Sequence, residues 1–152
     1  YNQPKVKAVT SFTKGEGFGR PLLEATFADK LVIASNWSGH TDFLDSNLSV
    51  LLPGKLNRIH PSAVWDKVII AESEWFTVDY GYASKLLINV WKNHKDYISR
   101  ARKQGLNNRK KFTLKKMQEL FTTMVEKYIP EFPSQVQLKL PKLKKISGGK
   151  VT

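Results

Sequence analysis

Glu16-Gly17-Phe18-Gly19-Arg20-Pro21-Leu22-Leu23-Glu24 lies between a β-branched and aromatic run, Val6 to Phe12, and a helix-compatible run that Pro21 opens. Proline is favoured at the first helical position, where its missing N–H is not needed. The order predicts strand, Gly-rich loop, helix, with Glu16 in the loop and Glu24 in the first turn of the helix. Backbone N–H groups at a helix start are unpaired and point outward, which suits a phosphate. A carboxylate one turn along reaches a ribose hydroxyl. Together these are the parts needed to hold a sugar nucleotide.

Other glycine loops do not fit the spacing. A Walker loop ends in Gly-Lys-Ser/Thr, whereas Gly19 is followed by Arg20-Pro21. The dinucleotide fingerprint needs a third glycine three places after the second, whereas Gly19 comes only two after Gly17. The protein-kinase loop is flanked by strands, whereas Pro21 and the Leu-Leu-Glu-Ala run predict a helix.

Outward from the loop, Val6 to Phe12 and Leu31 to Ser35 are mainly apolar runs, as parallel strands covered on both faces require. The helix between them, Pro21 to about Ala28, completes a strand–helix–strand unit with a right-handed crossover. A third strand is expected at Leu48 to Leu52, stopped by Pro53-Gly54. Residues 55–67 read as loop, with Pro61 as a breaker, and Val68 to Ala71 as a short strand. Asp79 is placed to cap a long helix reaching Lys103, ended by Gly105. Its apolar positions Ala83, Leu86, Leu87, Val90, Trp91, Tyr97, Ile98 and Ala101 follow helical spacing. Thr113 caps another helix that stops at Pro130, with Leu114, Met117, Leu120, Phe121, Met124, Val125 and Tyr128 expected in the core.

The fold class expected is α/β: a partial Rossmann-like parallel sheet flanked by helices, with two long C-terminal helices. Residues 1–130 form the domain and residues 131–152 a basic, flexible tail. Three strands leave a sheet edge unpaired, a liability that proteins normally cover. Strands upstream of Tyr1 are expected to cover it.

At 152 residues with 41% apolar content, the chain is one domain's worth and can furnish a core. Cysteine is absent, and His40, His60 and His94 are scattered, so no disulfide framework or paired metal-ligand spacing is present in the sequence. No apolar stretch reaches the roughly 18 residues of a membrane span, and no signal-peptide pattern opens the chain. A cytoplasmic protein is expected.

The net charge of +12 is uneven. From Lys92 to Lys116 ten cationic side chains accompany one acid, Asp96, and the tail after Glu131 holds five lysines and no acid. Such a field attracts polyanions. No zinc finger, RNP-like strand or recognition helix accompanies it, so nucleic acid is not an expected partner. A solvated basic face and recruitment to an anionic membrane surface, in a membrane-peripheral location, remain as readings.

The nine-residue stretch resembles the Glu-x7-Glu signature of retaining glycosyltransferases of the two-Rossmann-domain (GT-B) type, the glycogen-synthase and mannosyltransferase-like group. Leu31-Val32-Ile33-Ala34-Ser35-Asn36-Trp37-Ser38-Gly39 and Thr41-Asp42-Phe43-Leu44 are similar to the strand, loop and short helix that follow it in that group. Glu74-Trp75-Phe76, Asp79 and the amphipathic run beyond are similar to its late helices. Arg20 departs from the usual aliphatic residue: its guanidinium either adds a contact beside the phosphates or faces solvent. Asp29 and Leu31 stand where a glycine and a proline commonly turn the chain.

The resemblance implies transfer of a hexosyl group from a nucleoside diphosphate sugar, with retention, to a carbohydrate or lipid-linked acceptor. It implies a donor-binding portion that needs an N-terminal half for activity, and no cofactor or obligatory metal. By the same resemblance Glu16 is the catalytic-site carboxylate meeting the donor sugar. Gly17, Phe18, Gly19, Arg20 and Leu22 hold the sugar and diphosphate, and Glu24 holds the ribose. Ser38 and His40 are candidates to line the cleft. The alternative is a non-catalytic anion-binding module on the same fold, for a membrane surface or nucleic acid.

Overall fold

The computed structural model describes residues 1–130. It is a mixed α/β structure consistent with a partial Rossmann-like fold. Strand β1 (Ala8–Ser11), helix α1 (Arg20–Phe27), strand β2 (Leu31–Ser35) and strand β3 (Val50–Leu52) come first. Strands β4 (Gly54–Arg58) and β5 (Glu74–Val78) and helices α2 (Tyr80–Lys92), α3 (His94–Lys111) and α4 (Leu114–Tyr128) follow. The chain divides into two compact units, Tyr1–Met117 and one beginning at Gln118.

The parallel sheet has the order β1-β2-β3, with Ala8 opposite Leu31 and Ile33 opposite Val50. Every residue of β2 is buried, as a central parallel strand covered on both faces must be. Its alternation sorts two cores. Leu31 and Ile33 join Leu52, Phe76, Val78 and residues of α2 and α3 on one face. Val32 and Ala34 join Leu22, Leu23, Ala25, Phe43 and Leu44 on the other. Each fully buried aliphatic side chain contributes about 1.5–3 kcal/mol, and β2 is where both cores meet. The outer edge of β1 is unpaired among the described residues, and Ala8, Leu87, Val90 and Trp91 line a depression beside it.

Several expectations are corrected. Residues 55–67 are not all loop: Gly54–Arg58 pairs antiparallel with Glu74–Val78 in a separate hairpin. Val68 to Ala71 is not a strand and contributes only an isolated bridge, Trp65 to Ile69. Glu74-Trp75-Phe76 is accordingly strand, not helix, as its aromatic and β-branched composition favours. The first strand is shorter than Val6 to Phe12, and the third begins at Val50 rather than Leu48.

Asp79 caps α2 as expected, accepting the Tyr82 N–H at 2.9 Å. The helix does not run unbroken to Lys103. Asn93 interrupts it at φ −118°, ψ 29°, and its side-chain amide donates to Asn89 Oδ1 at 2.6 Å. Asparagine competes for nearby polar groups in this way and favours helix ends. Gly105 lies inside α3 rather than ending it. A Cβ there would overlap Thr26 O and Asp29 Oδ1, so the absent side chain lets α3 press onto the end of α1. Asn108 Nδ2 then donates to Thr26 Oγ1 at 2.9 Å, and Gln104 Nε2 to Phe43 O at 2.8 Å. Asp29 turns the chain at φ 54°, a conformation that aspartate tolerates, and Arg109 pairs with it at 2.8 Å.

Thr113 Oγ1 accepts the Lys116 N–H at the start of α4. The apolar residues of this helix are not core: Leu114, Phe121 and Tyr128 are 76%, 69% and 72% exposed. Trp91, also expected inside, is 86% exposed. Helical spacing marks a face as apolar without specifying what covers it. Among the described residues no helix is long and apolar enough to cross a membrane. The expected tail, 131–152, lies outside the described residues.

Candidate functional site

The loop between β1 and α1 is held by the loop after β2. The Glu16 N–H donates to Ser38 Oγ at 2.9 Å, and the Ser38 hydroxyl donates back to Glu16 O at 2.6 Å. The Gly39 N–H adds a third bond, to Glu16 O at 3.0 Å. Both loops leave the C-terminal ends of parallel strands, the edge at which open α/β sheets bind ligands. Ser38 is therefore half-buried between the two loops, and its role is to fix the Glu16 peptide.

Ser38 has φ 80° and ψ −169°, a region populated almost entirely by glycine. A residue held there costs about 1–3 kcal/mol and persists only where its surroundings impose it. The surroundings are the two bonds to Glu16 and those from the Thr41 hydroxyl (2.7 Å) and Thr41 N–H (3.1 Å) to Ser38 O.

Gly19 caps α1 in the left-handed conformation, at φ 84°. Its carbonyl accepts the Leu22 N–H (2.9 Å) and the Leu23 N–H (3.1 Å). A side chain at this position would be strained, and its Cβ would meet His40 Cβ at 2.8 Å. Among the described residues no protein acceptor meets the N–H groups of Gly17, Phe18, Gly19 or Arg20. Unpaired N–H groups at a helix start suit an anion; here Gly19 and Arg20 belong to that start, and Gly17 and Phe18 precede it. Phe18 anchors the loop, its ring 5.2 Å from Phe43 and 6.0 Å from Phe112.

Two expected site residues turn inward. Leu22 is 4% exposed with its N–H spent on Gly19, so it is a core residue rather than a diphosphate ligand. His40 is fully buried, and Nε2 donates to Ser35 O at 2.6 Å. It supports Gly19 from beneath rather than lining a cleft.

Arg20 and Glu24 form an ion pair of 2.9 Å on the outward face of α1, their side chains 84% and 43% exposed. An exposed i,i+4 pair contributes about 0.3–0.5 kcal/mol, so Arg20 holds Glu24 only weakly. The structure thus joins Glu16 to Ser38 and Gly39, and Arg20 to Glu24. No hydrogen bond or ion pair among the described residues joins the two groups.

The hairpin closes one side of the loop. Phe76 N–H donates to Lys14 O at 3.2 Å, and Lys14 Nζ to Thr77 Oγ1 at 3.3 Å. Trp37 stacks on Phe76, with ring centroids 5.8 Å apart and planes within 4°. This partnership spans 39 positions, and no periodicity connects the two rings. Among the described residues no three His, Asp or Glu side chains gather to hold a metal ion.

Comparison of the chain with protein families, curated proteins and solved structures finds no match.

Proposed function

We propose that this chain is the donor-binding portion of a retaining glycosyltransferase, taking a nucleoside diphosphate sugar at the Glu16–Glu24 segment. The observation that carries the reading is the row of unpartnered N–H groups from Gly17 to Arg20, on a loop fixed through Ser38. On this reading those amides face the diphosphate, Glu16 meets hydroxyls of the transferred hexose, and Glu24 takes the ribose in place of Arg20. Fixed donors of this kind stabilise charge that builds on a departing diphosphate without reorganising. The C1–phosphate oxygen bond breaks and a bond from C1 to an acceptor hydroxyl forms. The hydroxyl proton leaves with the diphosphate. A carbohydrate or lipid-linked acceptor enters from a second, acceptor-binding half, in a cytoplasmic, membrane-peripheral setting.

A second reading, a non-catalytic anion-binding module, draws on the exposed cations Lys92, Lys95, Arg102, Lys103 and Lys110 of α2 and α3. Thermal shift with UDP-, GDP- and ADP-sugars separates the two. Stabilisation by a sugar nucleotide supports the first reading. Stabilisation by anionic vesicles or polyphosphate alone supports the second and removes the first.

A further inference from the structure

Trp37 is 42% exposed, yet its position is fixed more firmly than exposure suggests. One face lies parallel over Phe76, which is itself 6% exposed and part of the core. Centroids 5.8 Å apart with nearly parallel planes describe an offset stack, a favoured aromatic geometry. Immediately after Trp37 the backbone enters the strained Ser38 conformation, which its bonds to Glu16 and Thr41 impose. Backbone strain of this kind collects at ligand sites, where the surrounding structure over-determines a geometry. Here it fixes the direction in which the loop leaves Trp37.

We propose that Trp37 is a stacking platform for a hexopyranose ring beside Glu16. The inference rests on the donor-binding reading above and extends it to recognition of the sugar. A pyranose presents one face rich in C–H groups, which packs on an indole, and a rim of hydroxyls, which needs acceptors. Trp37 supplies the first and the Glu16 carboxylate the second. The ligand at this ring is a sugar rather than a nucleobase because Trp37 adjoins Ser38, which ties its loop to the backbone of Glu16, the residue assigned to the sugar end. The ribose-end carboxylate, Glu24, lies on the outward face of α1 with Arg20. Phe76 and Lys14, joined backbone to backbone at 3.2 Å, bring the hairpin against the same loop. The hairpin therefore holds the platform as well as bounding the site.

The sugar is either the hexosyl group of the donor or a hexose of the acceptor, and the test separates them. The chain has four tryptophans, so its indole N–H resonances can be followed individually, with Trp37→Phe identifying that of Trp37. UDP, GDP and ADP, their glucose and mannose conjugates, and methyl α-glucoside and α-mannoside serve as probes. If the platform takes the donor sugar, a conjugate shifts the Trp37 indole and binds more tightly than its free diphosphate. Trp37→Ala then weakens the conjugate about tenfold, and the free diphosphate is unaffected. If it takes the acceptor sugar, a methyl hexoside at about 50 mM or less shifts the Trp37 indole and Trp37→Ala abolishes that response. Trp37→Phe, which keeps a ring on Phe76, should retain part of the affinity in either case. Trp65→Ala, in the hairpin loop, should change neither.

A Trp37 indole that no conjugate or hexoside moves overturns the proposal. So does a response that Trp37→Ala leaves intact in a protein with wild-type amide dispersion. If the free diphosphates leave the Gly17–Arg20 amides unmoved, the donor-binding reading fails, whatever the Trp37 indole does. The two failures are thus distinguishable.

Discussion

Gly39→Ala probes the meeting of the two loops directly. The added methyl would overlap the Gly17 carbonyl oxygen and lie 2.6 Å from its carbon and 3.0 Å from Glu16 O. Carbon contacts are optimal at about 3.5–4.0 Å, so the loop must withdraw by about 1 Å. The obstacle is backbone and has no rotamer to turn away. Overpacking of this kind costs about 1–3 kcal/mol. In a chain of this length about 1 kcal/mol lowers Tm by roughly 2–4 °C, so the variant should melt roughly 2–12 °C below wild type. Gly17→Ala is the matched control, because a Cβ there meets nothing within 4 Å. Its Tm should hold or rise, by up to about 1 kcal/mol of stability. Both variants should lose sugar-nucleotide affinity, Gly39→Ala by displacing the loop and Gly17→Ala by placing a methyl where the ligand lies. Scanning calorimetry and titration calorimetry read the two effects. A Gly39→Ala protein with the wild-type Tm would refute the close approach of the loops. A Gly17→Ala protein that binds donor normally would refute the loop as its cradle.

Three further outcomes are expected. Ser38→Ala removes two hydrogen bonds to Glu16; it should cost about 1–3 kcal/mol and speed hydrogen exchange at the Glu16 amide, and unchanged protection there would exclude the clamp. Glu24→Ala should leave Tm within about 2 °C of wild type, since its pair with Arg20 is exposed. It should also weaken nucleotide binding by about 1–3 kcal/mol, and calorimetry showing unchanged affinity would remove the ribose role. Gln104→Ala strands the Asp45 N–H (2.9 Å) and Phe43 O (2.8 Å) that its side chain satisfies. Denaturant melts should show a loss of about 2–4 kcal/mol, and a loss below about 0.5 kcal/mol would mean that water replaces those bonds.

What could be read in advance follows from which interactions are local. β2 is legible because five buried residues in a row leave an apolar run without alternation. The start of α1 is legible because Pro21 and the glycines before it are constrained by their own backbone chemistry. Gly54–Arg58 is mostly exposed and carries Lys55, Asn57 and Arg58; its strand character comes from pairing with Glu74–Val78, far along the chain. The break at Asn93 is hidden because Val90 and Tyr97 are seven residues apart, two helical turns, so the apolar spacing runs through it. Gly105 reads as a stop because the same residue that ends helices also permits close helix packing, and only the position of α1 decides between them.

The candidate site divides in the same way. Glu16, Gly17, Gly19 and Glu24 stand out through spacing within one segment. The roles of Ser38, His40 and Leu22 depend on where a second loop and the core lie, which spacing does not encode. Ser38 proves to be a clamp, His40 a buried support and Leu22 a core residue. The Trp37–Phe76 stack needs the hairpin to be in place before it exists.

Titration of the isotopically labelled chain with UDP, GDP and ADP, read at the backbone amides, tests the central claim most directly. The account predicts that at least one of them moves the Gly17, Phe18, Gly19 and Arg20 resonances most. Shifts confined to the basic face around Lys95, Arg102, Lys103 and Lys110, with the loop unmoved, would contradict it.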